Sequence, residues 1–579
     1  MPQRNAVFAQ IPVAVLLAAL GAPASRAVET LPPDALRPGQ MGEVRTVLSG
    51  RDPQTLAVEI LDVLPDEIAP GVPMILCRLA DETGRYVGVA AGMSGSPVYV
   101  DGKLIGALAY SIGALPREPV CGITPIGAML ESEELPDGPP PAPEGLLPAP
   151  LAVAVQGLGA GAGVRFAELW QRLGVDPSRV FVVPSSGGGP PSDGNALAPG
   201  RAVSALLVWG DARIAATGTV TWREGDRLLA FGHPFLGFGR TAFALAPAEI
   251  AHTVASQLSP FKIARIGDPV GTVTQDRLTG ITGRVGPLPP AVRFEAVVER
   301  PGRAPVERRY RMVRSPLLTP VLASMLLRQA ATATTGDERD EALVMRATVE
   351  LDGAEPVRYT AAGSGGENGA AEQRLAQELQ RLLARLMQAP VALPDVRSVR
   401  VQIAAAEPGG GWTLAQAVPD RLAAKPGETI RVHVQLRGPR GAARDETLAV
   451  EVPGDAGPGR YTLLVGSARA VDGKLGAVAE ARLRTADDAR SYLEAVRALR
   501  TDAAIAAVLA REGEGIVRGG ALYPALPASV HGLVRSRPGG ESMYRSRWYP
   551  IARAERDVGR SVSGGVETAI EILPLENRR

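Results

Sequence analysis

The chain has 579 residues, which is too long for a single core and predicts roughly three or four domains. Its 66 glycines and 51 prolines, with 4% aromatic residues, indicate many turns joining short strands, while a hydrophobic content of 45% excludes a disordered chain. A formal net charge of +1 provides no field that would gather nucleic acid, so we exclude that class of partner.

Residues 1–27 have the pattern of a secretory signal peptide. Arg4 supplies a positive start, and the apolar stretch 11–20 is too short to span a bilayer comfortably. Cleavage is predicted at Ser25-Arg26-Ala27, with Ala22-Pro23-Ala24 as second choice and an uncleaved anchor as the alternative. No later stretch approaches the roughly 18 apolar residues of a membrane helix. We therefore expect an exported mature chain, periplasmic or secreted, without a membrane span.

Residues 28–131 are predicted to form a serine-bearing β-barrel. Alternating or apolar runs at 56–63 and 74–79 read as strands, and each is followed by turn residues. A hairpin is predicted around Asp101-Gly102, and a further strand lies near Ile123. These elements are enough for a small closed barrel.

The chain has two cysteines, Cys77 and Cys121, and both lie in this predicted barrel. Export favours a disulfide between them, and two buried free thiols are the alternative. Two cysteines far from any histidine do not have the spacing of a zinc site, so we predict no metal. The chain also lacks a phosphate-binding Gly-x-x-x-x-Gly-Lys-(Ser/Thr) loop, and no cofactor is predicted.

The segment Gly92-Met93-Ser94-Gly95-Ser96-Pro97 is a turn of small residues that presents one serine. Glycines on both sides allow a sharp bend and keep Cβ atoms away from a substrate. The amide N–H groups of Gly92 and Ser94 can then point at one position, where an oxyanion would develop. A bare Gly-x-Ser-Gly also occurs in ordinary hairpins, so the longer context has to decide.

That context resembles the chymotrypsin-like serine peptidases, and within them the sporulation stage IV protein B (SpoIVB) peptidase family. In that family the nucleophilic serine lies in the same Gly-Met-Ser-Gly-Ser-Pro string, and segments similar to Gly122-Ile123-Thr124-Pro125-Ile126 and Met129-Leu130-Glu131 follow. The resemblance implies a mainly β protein with a double β-barrel. It also implies serine endopeptidase activity on an extended polypeptide, which would pair with the strand residues Ala109, Tyr110 and Ser111.

Residues 132–200 are predicted to be a Pro/Gly-rich linker with a short helix near 166–173, and residues 201–362 a second barrel that bears a histidine. A serine nucleophile needs an adjacent base, and His233 follows an apolar strand in a turn that suits a barrel rim. His252 is predicted to lie in a helix. The SpoIVB resemblance continues here, at a Gly-His pair and in the stretch 270–283, and it gives His233 the role of catalytic histidine.

The order of the two segments differs from the SpoIVB family. There the histidine precedes the serine, whereas His233 follows Ser94 by 139 residues (233 − 94). Because a triad is defined by geometry, a circular permutation of the barrels would keep it. For the triad acid we choose Asp81, at the end of a strand 13 residues before Ser94 (94 − 81), although the family's aspartate lies slightly farther upstream. A solvated turn carboxylate, Asp62 as reserve and a Ser–His dyad are the alternatives.

Three segments complete the predicted organisation. Residues 370–388 have a leucine stripe at helical spacing and are predicted to be an amphipathic helix. Residues 395–484 alternate like a β-sandwich, which would bind substrate or an envelope protein, and residues 486–579 are expected to be one helix and an irregular tail. The whole predicts an exported serine endopeptidase. A catalytically inactive, peptidase-like envelope scaffold or protein-binding module is the alternative.

Overall fold

A computed structural model of the chain describes residues 28–113, 117–132, 151–156, 180–184, 193–332, 342–364, 370–405, 410–476, 478–518, 520–523, 529 and 544–574. The predicted signal peptide and the predicted helix near 166–173 lie outside the described residues. The described chain is mainly β and contains two closed six-stranded barrels. Within it, no helix combines the length and hydropathy needed to cross a bilayer.

The first barrel closes in the order β1-β2-β3-β6-β5-β4, with β1 paired to both β2 and β4. Its strands are β1 (Met41–Thr46), β2 (Gln54–Ala69), β3 (Val72–Leu79), β4 (Ser96–Val100), β5 (Lys103–Ser111) and β6 (Val120–Pro125). Asp101 and Gly102 have φ of 52° and 75°, as a two-residue β4–β5 turn requires, which confirms the predicted hairpin. Two short helices, α1 (Glu82–Val87) and α2 (Ile126–Glu131), flank the barrel.

The second barrel closes in the order β9-β12-β14-β15-β11-β10, because β10 also pairs with β9. Its strands are β9 (Ala202–Gly210), β10 (Arg213–Glu224), β11 (Arg227–Ala230), β12 (Gly239–Val254), β14 (Gly271–Arg277) and β15 (Gly280–Val285), with β13 (Phe261–Ile266) paired to β12. The ring is therefore complete at Val285, and the expectation that the whole of 201–362 forms this barrel is wrong. His252 lies in β12 and not in a helix.

Further strands extend the second barrel into a larger sheet on both sides. From β10 it continues through β7 (Leu151–Gln156) and β8 (Val180–Pro184), so the segment 132–200 is not merely a linker. From β9 it continues through β17 (Val306–Val313), β16 (Ala291–Glu299), β20 (Val396–Ala405), β18 (Leu343–Leu351) and β19 (Ala354–Gly363). Helices α3 (Leu318–Thr332) and α4 (Ala370–Met387) pack on this sheet, and α4 buries the predicted leucine stripe.

The C-terminal part contains two sheets whose strands share one hydrophobic cluster. One has the order β24 (Ala443–Glu451), β23 (Thr429–Arg437), β21 (Trp412–Pro419), β29 (Val562–Ser563). The other contains β22 (Ala423–Ala424), β30 (Gly565–Ile572), β25 (Gly459–Ser467), β26 (Ala504–Arg518) and β27 (Ala521–Tyr523), with β28 (Tyr544–Asp557) paired to β26. Three helices connect β25 to β26 along the chain: α5 (Ala468–Lys474), α6 (Val478–Thr485) and α7 (Ala489–Arg497).

Two expectations for this part are corrected. The segment 395–484 does not form a unit by itself, because its first strand, β20, pairs with β16 and β18 of the large sheet. Residues 486–579 are not an irregular tail, because β26 and β30 flank β25 in the same sheet. The C-terminal sheets are thus completed by strands from the end of the chain.

The two barrels are joined by backbone pairing as well as by side chains. Gly50 and Ile250 exchange both of their backbone hydrogen bonds, and Ala91 forms a parallel bridge with Phe261. Thr124 Oγ1 donates to the carbonyl oxygen of Gly232 over 2.6 Å. The segment after β11, which contains Gly232, thus contacts β6 of the first barrel.

Candidate functional site

The turn that bears Ser94 connects α1 to β4 and depends on two glycines. Gly92 and Gly95 have φ of +96° and +92°, a region that side chains other than glycine rarely adopt. A Cβ on Gly95 would lie 2.1 Å from Thr219 O and 2.4 Å from Phe231 N. Glycine is therefore required both for the bend and for the close approach of the second barrel.

The amides of this turn fall into two groups. Those of Ala91, Met93, Gly95 and Ser96 donate to backbone carbonyls at 2.8 to 2.9 Å. Within the described part of the chain, the N–H groups of Gly92 and Ser94 have no acceptor. The turn thus leaves two neighbouring donors available while it uses those around them, which is the arrangement an oxyanion site needs.

The Ser94 side chain is enclosed but not hydrogen-bonded. Ser94 is 1% exposed, and its Oγ has no hydrogen-bond partner among the described residues, His233 included. A buried hydroxyl without a partner costs about 1–3 kcal/mol. The bond between hydroxyl and imidazole that nucleophilic attack requires is thus not formed in this structure.

His233 lies just after β11 and is also buried, at 1% exposure. It follows Phe231 and Gly232, which both have φ of +72° and turn the chain sharply. Its Nδ1 is 2.8 Å from the carbonyl oxygen of Pro234. Because a carbonyl can only accept, Nδ1 carries the proton, and Nε2 is the nitrogen with the lone pair that a base requires.

The structure brings the serine turn and the histidine segment together across β10. Thr219 of β10 donates its N–H to Ser94 O over 2.8 Å, and its carbonyl accepts from Phe231 N at 3.3 Å. On the other side of the segment, a Cβ on Gly232 would lie 2.9 Å from Ala107 Cβ. Two stretches far apart in sequence therefore meet at the contact between the barrels.

Asp81 does not lie in this constellation. It is the N-cap of α1: Oδ1 accepts from Gly84 N at 2.6 Å, and Oδ2 accepts from Ala57 N. Both oxygens thus serve the backbone of the first barrel, and the position beside His233 Nδ1 is occupied by the Pro234 carbonyl. Asp62, the reserve, is on β2 and accepts from Val63 N at 2.9 Å. Neither carboxylate orients the imidazole in this structure.

Asp276 of β14 is the carboxylate that organises the histidine segment, and sequence reasoning did not single it out. Its oxygens accept from the amides of Phe235, Leu236 and Gly237 at 2.7 to 2.9 Å, directly after His233. Burial raises the pKa of Asp276 to about 6, against the lowering effect of these amides. The only signal in the sequence is an aspartate within the stretch 270–283 that resembles the SpoIVB family.

The predicted substrate strand pairs with β6 only, because its pairing with β4 ends before Ala109, and two of its three residues are covered in this structure. Residue pairing joins β5 to β4 as far as Leu108 and to β6 as far as Ser111. Ala109 and Tyr110 are fully buried, because they pack in a cluster with Ile68 and Met74, whereas Ser111 is half-buried. The cover over Ala109 and Tyr110 therefore comes from β2 and β3 of the same barrel.

Cys77 and Cys121 face each other across β3 and β6, as a register pair. They are free thiols here, both buried, with their Sγ atoms 3.1 Å apart. Burial raises the pKa of Cys77 well above the ordinary thiol value. The two residues belong to the core of the first barrel and not to the site around Ser94.

Of the remaining histidines, the two that the structure describes lie outside the site. His252 is on β12, His433 on β23 contacts Thr447, and His531 is outside the described residues. The described residues contain no group of three or more His, Cys, Asp or Glu side chains that could hold a metal ion.

Comparison of this chain with protein-family models, with curated proteins and with solved structures finds no match. The resemblance to the SpoIVB family therefore stays a prediction from the residues around Ser94 and His233. Functional conclusions depend on the geometry of the site itself.

Proposed function

We propose that this chain is an exported serine endopeptidase that cleaves extended polypeptide segments through an acyl-enzyme. The observation that carries the proposal is the Ser94 turn. It combines a buried hydroxyl that has no hydrogen-bond partner in the described chain with two neighbouring amides that have no acceptor there. A buried hydroxyl or amide without a partner lowers the stability of the fold. Binding and attack of a substrate carbonyl at this turn would explain why the hydroxyl and both amides are left without partners.

In this reaction Ser94 Oγ attacks the substrate carbonyl and transfers its proton to His233 Nε2. The carbonyl oxygen becomes an oxyanion, which accepts hydrogen bonds from the Gly92 and Ser94 amides. The C–N bond then breaks, and His233 gives the proton to the leaving amine. Water attacks the resulting ester by the same route and regenerates the serine.

Two residues other than Asp81 would orient the imidazole in this mechanism. The Pro234 carbonyl accepts the Nδ1 proton, and Asp276 orders the backbone that follows. A neutral carbonyl stabilises an imidazolium less than a carboxylate does, so a slow enzyme is expected. The two closed barrels support the finer proposal of a chymotrypsin-like double barrel in permuted order.

A second candidate function is a non-catalytic scaffold with a protein-binding surface on the C-terminal sheets. The observation in its favour is the burial of both Ser94 and His233 to 1% exposure. A scaffold needs no access to these groups, whereas an enzyme has to open before each turnover.

The experiment is covalent labelling of the folded full chain by a fluorophosphonate, followed by peptide mapping. The wild type is expected to carry one adduct on Ser94, and Ser94→Ala and His233→Gln none. Ser398→Ala, which removes a serine of β20, is the matched control and should label like the wild type. An unstructured protein such as casein should be cleaved only by the variants that label. Equal absence of labelling in wild type and Ser94→Ala, with folded protein, would favour the scaffold.

A further inference from the structure

Lys262 of β13 is a buried lysine that lies under the Ser94 turn. It is 1% exposed, and its Nζ donates to Thr46 Oγ1 at 2.8 Å. Its side-chain stem lies against Gly92: a Cβ there would meet the lysine Cδ at 3.1 Å and its Cβ at 3.2 Å. Among the described residues Lys262 has no carboxylate partner. A buried ammonium without a counter-ion is costly, and this points to a role beyond packing.

A chain of hydroxyl groups links this lysine to the turn. Ser96 Oγ lies 2.9 Å from Thr46 Oγ1 and 2.5 Å from Met93 O. Ser96 Oγ shares its proton between these two acceptors, and Thr46 Oγ1 also accepts from Lys262 Nζ. The charged Lys262 donor thereby holds the Thr46 oxygen that anchors Ser96 beside Met93.

The chain, together with the Ser96 N–H that donates to Met93 O at 2.9 Å, fixes the direction in which the Ser94 amide points. In a trans peptide the C=O and N–H groups point to opposite sides, and the described chain has no cis peptide bonds. Holding the Met93 carbonyl towards Ser96 therefore turns the Ser94 N–H the other way. The Gly92 N–H is fixed by the same rule, because the backbone N–H of Lys262 donates to Ala91 O at 3.0 Å.

We propose that Lys262 is a positioning residue that aims the two oxyanion-binding amides, through its backbone at Gly92 and through the Thr46–Ser96 chain at Ser94. This inference rests on the proposed peptidase function and adds a member to its machinery. Lys262 does not contact the reacting atoms. Its ammonium also places positive charge under the turn, where negative charge develops on the substrate.

Burial lowers the pKa of Lys262 to about 7, and burial is the only cause. No charged group of the described residues facing it from β1, β12 or the Ser94 turn contributes to this pKa. The ammonium and the amine are therefore both populated near neutral pH. Because only the ammonium starts the chain with a charge, labelling of Ser94 should weaken as the pH rises through this range.

The test is the second-order rate constant of fluorophosphonate labelling as a function of pH on the full chain. Lys262→Met keeps the apolar stem and should label about 100-fold more slowly, as expected for misplaced catalytic groups. In Lys262→Met the labelling rate should also no longer fall at high pH. If Lys262 had only a structural role, the variant would still show this fall. Thr46→Val should behave like Lys262→Met, whereas Thr46→Ser keeps the hydroxyl and should restore the wild-type rate.

If Lys262→Met is labelled at the wild-type rate and with the wild-type pH profile, this inference is overturned and the peptidase proposal remains intact. Absence of labelling in the wild type would overturn the peptidase proposal, and with it the positioning role of Lys262. Hydrogen exchange of the peptide spanning 90–96 separates the turn geometry from the chemistry. In Lys262→Met it should quicken about tenfold or more, with the rest of the barrel unchanged. Unchanged exchange there would contradict the role of Lys262 in ordering the turn.

Discussion

Replacing Asp276 by asparagine tests how the histidine segment is held. Asp276 Oδ1 accepts from Phe235 N, and Oδ2 accepts from Leu236 N and Gly237 N. In Asp276→Asn one oxygen becomes an NH2 group, which faces at least one amide donor. We therefore expect a loss of about 1–3 kcal/mol from an unpaired buried N–H, together with slower labelling of Ser94.

The loss of stability caused by Asp276→Asn also depends on pH. Burial raises the pKa of Asp276 from 3.8 to about 6, so the folded chain binds a proton more tightly than the unfolded chain. The stability from this proton is fully present below pH 3.8 and is lost as the pH rises through 6. At about 1.4 kcal/mol per pKa unit it amounts to about 3 kcal/mol, of which about 2 kcal/mol falls between pH 8 and 4.5.

The assay is equilibrium unfolding in urea, followed by the fluorescence of Trp209 and Trp222 in the second barrel, at several pH values. The advantage of the wild type over Asp276→Asn should grow by about 2 kcal/mol from pH 8 to pH 4.5. Asp226→Asn is the matched control, because its carboxylate is 60% exposed and pairs with Arg284 at the surface. It should cost less than about 1 kcal/mol, as exposed ion pairs do. A difference in the free energy of unfolding between wild type and Asp276→Asn that is the same at every pH would contradict a raised pKa of Asp276.

The other predictions concern the turn and the thiols. Gly95→Ala places a Cβ 2.1 Å from Thr219 O at a φ of +92° and should abolish soluble folded protein. Gly127→Ala, which lies in open space on α2, is the control and should leave the melting temperature unchanged or higher. Equal yields of soluble protein from both variants would contradict the close packing at Gly95. Ser94→Ala removes an unpaired buried hydroxyl and should raise the free energy of unfolding by about 1 kcal/mol, and a clear loss in urea unfolding would count against it. The Cys77 thiol, buried and of raised pKa, should resist iodoacetamide until the chain unfolds, and adducts on native protein by mass spectrometry would show otherwise.

Local patterns predicted the elements near Ser94 well, because they depend on neighbouring residues. The Asp101-Gly102 turn, for example, requires two positive φ angles that this pair of residues readily adopts. The partners of a strand depend on distant residues instead. The alternation at 396–405 fits any half-buried strand, and it could not reveal that β20 inserts between β16 and β18.

The end of the chain was misjudged for a related reason. The segment 504–510 is rich in alanine, a residue that is weak in strands, and only its pairing with both β25 and β28 makes it one. Asp276 and Lys262 could not be chosen either. Their roles arise from contacts with residues about 40 and 216 positions away, and single aspartates and lysines are usually at the surface.

The most direct test of the central claim is a crystal structure of the wild-type chain after reaction with a fluorophosphonate. We expect phosphorus bonded to Ser94 Oγ, with a phosphonyl oxygen about 2.7–3.1 Å from both Gly92 N and Ser94 N, and with His233 Nε2 beside the adduct. An adduct on another residue, or a phosphonyl oxygen directed away from these two amides, would contradict it.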